Sequence, residues 1–224
     1  MELSLMNKFA IASTLACIAA GAAFADVYND ASNDLFDNGF GNLDITSVSV
    51  SNTATDVTIA ITTRDFASWT KYMVFIRANG NGDGSNAWNR PVNQSGGNAN
   101  HFLGSWVDQN SNNAQNVAFN GGGWDWGNSQ TFSNSVSGNT VSLTVSLASL
   151  GLSAGDHMYF DVATSGENND PGVDHLSRST MATTGWGNPS VAGDFLDYRI
   201  VPVPTPGAIA LLGVAGIAGR RRRA

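Results

Sequence analysis

The chain has 224 residues, of which 42% are hydrophobic and 13% charged, and a formal net charge of −7. The ends hold five of its eleven basic residues, so the segment from Asp26 to Pro204 keeps six basic against seventeen acidic residues and stands at −11. A surface this acidic, with no basic stripe, excludes nucleic-acid binding by phosphate neutralisation. Sixteen of those acids are Asp, which favours turns over helices.

Residues 1–25 read as a signal peptide. Lys8 is the positive n-region, Phe9–Phe24 the apolar run, and Ala23-Phe24-Ala25 a small-x-small cleavage site before Asp26. Met6 is an alternative start, because Glu2 is unfavourable in an n-region. Cys17, the single cysteine, has no Leu three places before it, which disfavours a lipid anchor. The exported chain is then free of cysteine and folds on its core alone.

Between residues 26 and 201, period-2 alternation predicts an all-β fold. Leu43–Val50 and Val57–Thr62 form a hairpin across Ser51–Asp56. Tyr72–Ile76 is continuously apolar, as in a strand buried on both faces. Further strands are expected at His101–Val107, Asn116–Phe119, Gln130–Val136, Thr140–Leu147, Met158–Ala163 and Phe195–Val201. A tight turn is expected at Ser137-Gly138-Asn139 and a helical turn at Leu147–Leu152. About nine short strands, with no linker dividing them, point to one antiparallel β-sandwich, jelly-roll or immunoglobulin-like. Long loops rich in Asn, Gly and Asp connect them, and such loops are where binding usually sits.

Three side-chain patterns bear on chemistry. Asn79-Gly80-Asn81-Gly82-Asp83-Gly84 places oxygen side chains at alternating positions, as in the first half of a Ca²⁺ loop. Arg90 stands where the twelfth-position Glu of an EF-hand is required, so that motif is rejected, and a plain Gly/Asn hairpin loop is the alternative. Asp30, Asp34 and Asp37 form a second oxygen-rich cluster, and hard oxygen ligands favour calcium at either site. Trp88, Trp124, Trp126 and Trp186 lie in Gly/Asn-rich loops. In an extended Trp124-Asp125-Trp126 the two indoles share one face about 6.5 Å apart, a platform for sugar rings. Their alternative role is to fold under the loops and cover the ends of the sandwich.

Catalysis is poorly supported. His101, His157 and His175 have no metal-site spacing, and no nucleophile motif is present. The pairs Asp170/Asp174 and Asp194/Asp197 suit capping and turn roles better than a glycosidase couple. No regular Thr ladder is visible along the chain, which disfavours an ice-binding surface.

At the C-terminus, Pro202-Val203-Pro204-Thr205-Pro206 precedes an apolar stretch at 207–219 and the cluster Arg220, Arg221, Arg222 and Arg223. Thirteen helical residues span about 20 Å, short of the ~30 Å bilayer core. Snorkelling and thinning can close that gap, and the arginines stay cytoplasmic. This order at 202–224 closely resembles the PEP-CTERM sorting signal of Gram-negative and related bacteria, with Thr205 where that family most often has Glu. The resemblance implies an exosortase-type membrane transpeptidase as partner, with cleavage at Pro204-Thr205-Pro206. It also implies a transient inner-membrane intermediate and transfer to the cell surface or extracellular matrix. A permanent tail anchor is the alternative.

The middle segment resembles the CBM9-like, or DOMON-like, modules of secreted bacterial proteins. The likeness lies in Asn29–Asp37 leading into Leu43–Thr46, in Lys71–Arg77 running into a Gly/Asn/Asp loop, and in Leu147–Leu152 before Tyr159–Val162. It extends to Asp170–Asp174 and Trp186. Arg77 departs from the acidic residue that often follows this strand in such domains. The resemblance implies a sandwich module of a secreted protein, the missing catalytic motifs point to a non-catalytic one, and the loop tryptophans suggest extracellular polysaccharide as its partner. A matrix component without a small ligand and a secreted hydrolase are the other readings.

Overall fold

Residues that alternate between core and solvent make the strands, and the register between strands decides which faces meet. The computed structural model describes residues 25–203, apart from 84, 96–97, 109–112 and 168–169. The segments expected to be a signal peptide (1–25) and a sorting signal (202–224) lie outside the described residues, apart from residues 25, 202 and 203.

The strands are β1 (Ala25–Asn29), β2 (Ile45–Asn52), β3 (Asp56–Thr63), β4 (Lys71–Arg77), β5 (His101–Trp106) and β6 (Asn113–Ala118). They continue with β7 (Gln130–Ser133), β8 (Ser135–Ser137), β9 (Thr140–Ser146), β10 (His157–Ser165), β11 (Asp174–His175) and β12 (Leu196–Arg199). They form two antiparallel sheets. One runs β1-β2-β3-β9-β8. The other runs β11-β10-β4-β5-β6-β7, with β12 also on β10. Inward residues of both share one core, with Val48, Val50, Ile59, Ile61 and Leu143 from the first and Tyr72, Val74, Ile76, Phe160 and Val162 from the second.

Tyr72–Ile76 is buried throughout, as its apolar run predicts. Tyr72, Val74 and Ile76 face the shared core, while Met73 and Phe75 face away from it. The long loops fold over that outer face, adding Ala87, Val92 and Ala99 beside Phe102, Val117 and Ala163. A continuous apolar strand requires cover on both sides, and here loops supply what a helix usually does.

Several expectations need correction. The alternation in Leu43–Val50 changes phase: Ile45 is buried, and so are Val48 and Val50. A register shift between Ile45 and Ser47 absorbs the change, leaving Thr46 as a bulge. The expected strand Gln130–Val136 is two strands in different sheets. β7 pairs with β6 and β8 with β9, and Asn134 stands between them. β1 and the two-residue β11 were not expected. β1 is an edge strand whose Tyr28 packs edge-on to Phe160 at 5.0 Å, a contact with no local signal. The helical turn at Ala148–Leu150 is present and ends on Gly151, whose φ of 65° is the left-handed cap.

A Ser/Thr ladder does exist, running across strands instead of along one. The register aligns Ser47, Thr62, Thr140 and Ser137, then Ser49, Ala60, Ser142 and Ser135, then Ser51, Thr58 and Thr144. The hydroxyls of Thr58 and Thr144 lie 2.9 Å apart, and those of Thr62 and Thr140 2.8 Å. These three rows carry no charge, and the row beyond them pairs Asp56 with Ser146.

Candidate functional site

Four aspartates meet where the first loop, the start of β2 and β11 converge. Asp30 follows β1, and Asp34 lies in the loop after it. Asp44 closes a short 3-10 turn at Gly41–Leu43, and Asp174 opens β11. Asp34, Asp44 and Asp174 each offer an oxygen within 4.8 Å of the other two. Asp44 is fully buried, and Asp174 is 2% exposed.

Part of each buried carboxylate is held by the chain. Asp44 Oδ2 accepts from Arg64 Nε at 2.6 Å and from the Asn33 N–H at 3.0 Å. Asp174 Oδ2 accepts from the Ile45 N–H at 2.6 Å, and its Oδ1 from the His175 N–H at 2.8 Å. Asp30 Oδ1 takes the Ala31 N–H at 2.7 Å. The remaining oxygens are buried without a partner in the chain: Asp30 Oδ2, both oxygens of Asp34, and Asp44 Oδ1.

Burial dominates the electrostatics. It pushes the Asp30 carboxyl up to about 8, with neighbouring Asp34, Asp161 and Asp44 adding to the effect and the Ala31 N–H opposing it. Asp174 is raised well above the usual carboxylate range, by burial first and then by Asp30 and Asp34. Asp34 is raised by burial first, with its own backbone N–H opposing and Asp44 adding to the rise. Carboxylates that crowd together out of water favour a bound cation or a proton.

A second buried pair lies close by. His175 Nδ1 is 2.8 Å from Asp161 Oδ2, and neither side chain is exposed. Asp161 also accepts from Gln94 Nε2 at 3.0 Å and from the Ser177 N–H at 3.2 Å. A Cβ at Gly193 would lie 2.2 Å from Asp161 Oδ2, so the chain can pass over this pair only as glycine.

The expected calcium residues divide. Asp30 and Asp34 belong to this cluster, but Asp37 caps an exposed turn through the Gly39 N–H at 2.9 Å. Asp44 and Asp174 take its place. In the second expected set, Asp83 pairs with Ala99 in a bridge and accepts from the Ser85 N–H at 3.0 Å. Asn79 donates to the Gly151 carbonyl at 3.3 Å, and Asn81 is exposed. These contacts are those of a hairpin loop.

The four loop tryptophans do not come together. Trp88 lies on the outer face of the larger sheet, 5.2 Å from Phe102 and 5.9 Å from Trp106, and donates to Gln115 Oε1 at 3.3 Å. Its ring occupies the space over Gly104, where a Cβ would come within 2.2 Å. Trp124 packs against Phe119 at 5.8 Å and Phe102 at 6.2 Å. Trp186 meets Phe36 and Phe40 edge-on at 5.1 Å each, in a cluster with Leu35, Leu43 and Val173. Trp126 alone stays open, at 44% exposure.

The extended platform expected at Trp124–Trp126 is not formed. Trp124 bridges to Phe119, and Trp126 opens a 3-10 turn capped by Asp125, whose side chain accepts from the Asn128 N–H. Asp44, Asp174, Asp161 and His175 were not anticipated as one neighbourhood. Asp44 reads as the polar phase of a strand, and Asp174 lies far from it in sequence.

No protein-family model matches the chain. No curated protein matches it either.

Proposed function

We propose that the chain is an exported, surface-sorted β-sandwich that acts without catalysis, as a module contacting extracellular polysaccharide. Export and sorting rest on the sequence at 1–25 and 202–224. The non-catalytic reading is supported by the engagement of one carboxyl of each candidate couple within the chain. Asp174, half of one candidate acid couple, is held by two backbone N–H groups. Asp197, half of the other, is engaged by His157 Nδ1 at 2.8 Å. A hydrolytic couple needs carboxyls that reach substrate and water.

The observation that carries the polysaccharide reading is Trp126, a large ring left open to solvent on a turn with Asp125 and Asn128. An aromatic face beside a few polar groups suits the apolar face of a sugar ring. Retention of the chain on insoluble polysaccharides tests it. Trp126→Ala should lower retention about tenfold, equivalent to ~1.4 kcal/mol. Undiminished retention of Trp126→Ala removes this ring from the reading, and no retention on any glycan removes the reading itself. The Ser/Thr rows, charge-free up to Asp56 at their edge, favour a second reading, a matrix component whose sheet lies against other uncharged polymer without a small-ligand site.

A further inference from the structure

We propose that Asp34, Asp44 and Asp174, with Asp30 beside them, bind a calcium ion that fastens the N-terminal segment to the second sheet. This inference stands independently of the polysaccharide reading.

Three observations support it. The first is the geometry: three carboxylate oxygens lie within 4.8 Å of one another. Calcium takes oxygens at 2.3–2.6 Å, so ligands on opposite sides of one ion stand about 5 Å apart or less. The second is the orphaned oxygens. Asp44 is wholly buried, yet its Oδ1 has no partner, and Asp30 Oδ2 and both Asp34 oxygens are in the same state. A buried charged oxygen without a partner costs more than an ordinary hydrogen bond returns. Arg64 neutralises one carboxylate of four. A divalent cation satisfies the rest.

The third observation is how the site is built. The apolar cluster Leu35, Leu43 and Val173 consists of the direct sequence neighbours of Asp34, Asp44 and Asp174. Three separate elements thus converge twice, once through apolar side chains and once through acids. Phe36, Phe40 and Trp186 close over the apolar half. Aromatic cover lowers the local dielectric, which makes uncompensated negative charge dearer and a cation more favourable. A groove of about 350 Å³, lined by Tyr28, Asp30, Leu176, Arg178 and Leu196, adjoins the cluster at Asp30.

The ligand chemistry is all carboxylate, without sulfur or imidazole among the three clustered residues, which favours a hard cation over zinc. Bound there, the ion links elements that the Ile45–Asp174 hydrogen bond already joins across 129 residues of sequence. Such a cross-link stabilises the fold in proportion to calcium occupancy.

The test uses the purified full chain stripped with chelator. Calorimetric titration with CaCl2 should show one site. At a calcium concentration a hundredfold above the dissociation constant, Tm should rise by roughly 5–10 °C. Asp34→Asn is the informative variant, because both Asp34 oxygens lack partners in the chain. Its Tm in chelator should match or exceed that of the parent within about 2 °C, and its calcium-induced rise should vanish. Asp83→Asn should keep the rise. The proposal is overturned by no heat and no Tm change up to about 5 mM calcium, above the ~10⁻⁴–10⁻³ M range of extracellular modules. It is equally overturned if Asp34→Asn keeps the full rise, or if Asp83→Asn alone loses it. A matching response to magnesium at equal concentration would overturn the assignment to calcium.

Discussion

At the scale of single residues, the packing is decided by what each side chain leaves room for. Gly104 sits inside β5, where glycine normally weakens a strand. Here the Trp88 ring occupies the position of its missing side chain. Gly104→Ala should displace Trp88, lower stability by about 1–3 kcal/mol, and red-shift the tryptophan fluorescence. Unchanged emission with unchanged Tm would show that the ring lies elsewhere. His101 makes a pH-dependent contribution. Burial holds its imidazole below the ordinary value, with Asn116 opposing. The unfolded chain therefore takes up the proton first, near pH 6.5. The stability carried by the neutral ring is full above that pH and is lost as pH falls below it. The raised carboxyls of Asp30 and Asp174 act in the opposite sense over the same range, so the contribution of His101 is read as a difference: between about pH 7.5 and 5.5 the Tm of the wild type should fall relative to that of His101→Gln. Parallel profiles for the two proteins would contradict this account.

At the scale of elements, the change of sheet between β7 and β8 is the step a local pattern could not show. Gln130–Val136 carries the composition of one strand, but the chain leaves one sheet and joins the other at Asn134. The Asn134 amide donates to Ser105 Oγ at 2.6 Å and to the Trp106 and Asn113 carbonyls at 3.3 Å each. It occupies the gap where two ladders end and their backbone groups would otherwise go unpaired. Asn134→Ala removes all three bonds and should cost about 1–3 kcal/mol in denaturant unfolding. Asn134→Asp keeps the shape but loses the amide donor, and should cost at least as much. A cost below about 0.5 kcal/mol for both would mean that the crossover is held by its strands alone.

At the scale of the whole molecule, acidic residues are distributed by depth. Three Ser/Thr rows on the outer face of the five-stranded sheet carry none, with Asp56 in the row beyond them, while Asp44 before β2, Asp161 in β10 and Asp174 in β11 are buried. A net charge of −11 is thus not a uniformly acidic surface. Part of it is interior charge that requires compensation by Arg64, by protons or by a cation. The loops form a further layer over the outer face of the larger sheet, which is why Trp88 and Trp124 pack inward: Met73, Phe75 and Phe102 need cover, and indole supplies more apolar area than other side chains do. Trp186 packs on a different cluster, with Leu35, Leu43 and Val173.

The sequence by itself determined the all-β class, the β2–β3 and β8–β9 hairpins, the doubly buried β4 and the Gly151-capped turn. Each depends on periodicity or turn chemistry within a few residues. It also grouped Asp30 and Asp34 in one oxygen-rich cluster, together with Asp37. The tertiary structure alone decided that Asp44 and Asp174 join them in place of Asp37, that Trp124 and Trp126 part company, and that Thr residues on different strands align. These outcomes depend on register and on loop closure between residues far apart in the chain. A shift of one residue reverses which face a side chain takes, and no local pattern specifies which distant strand it will meet.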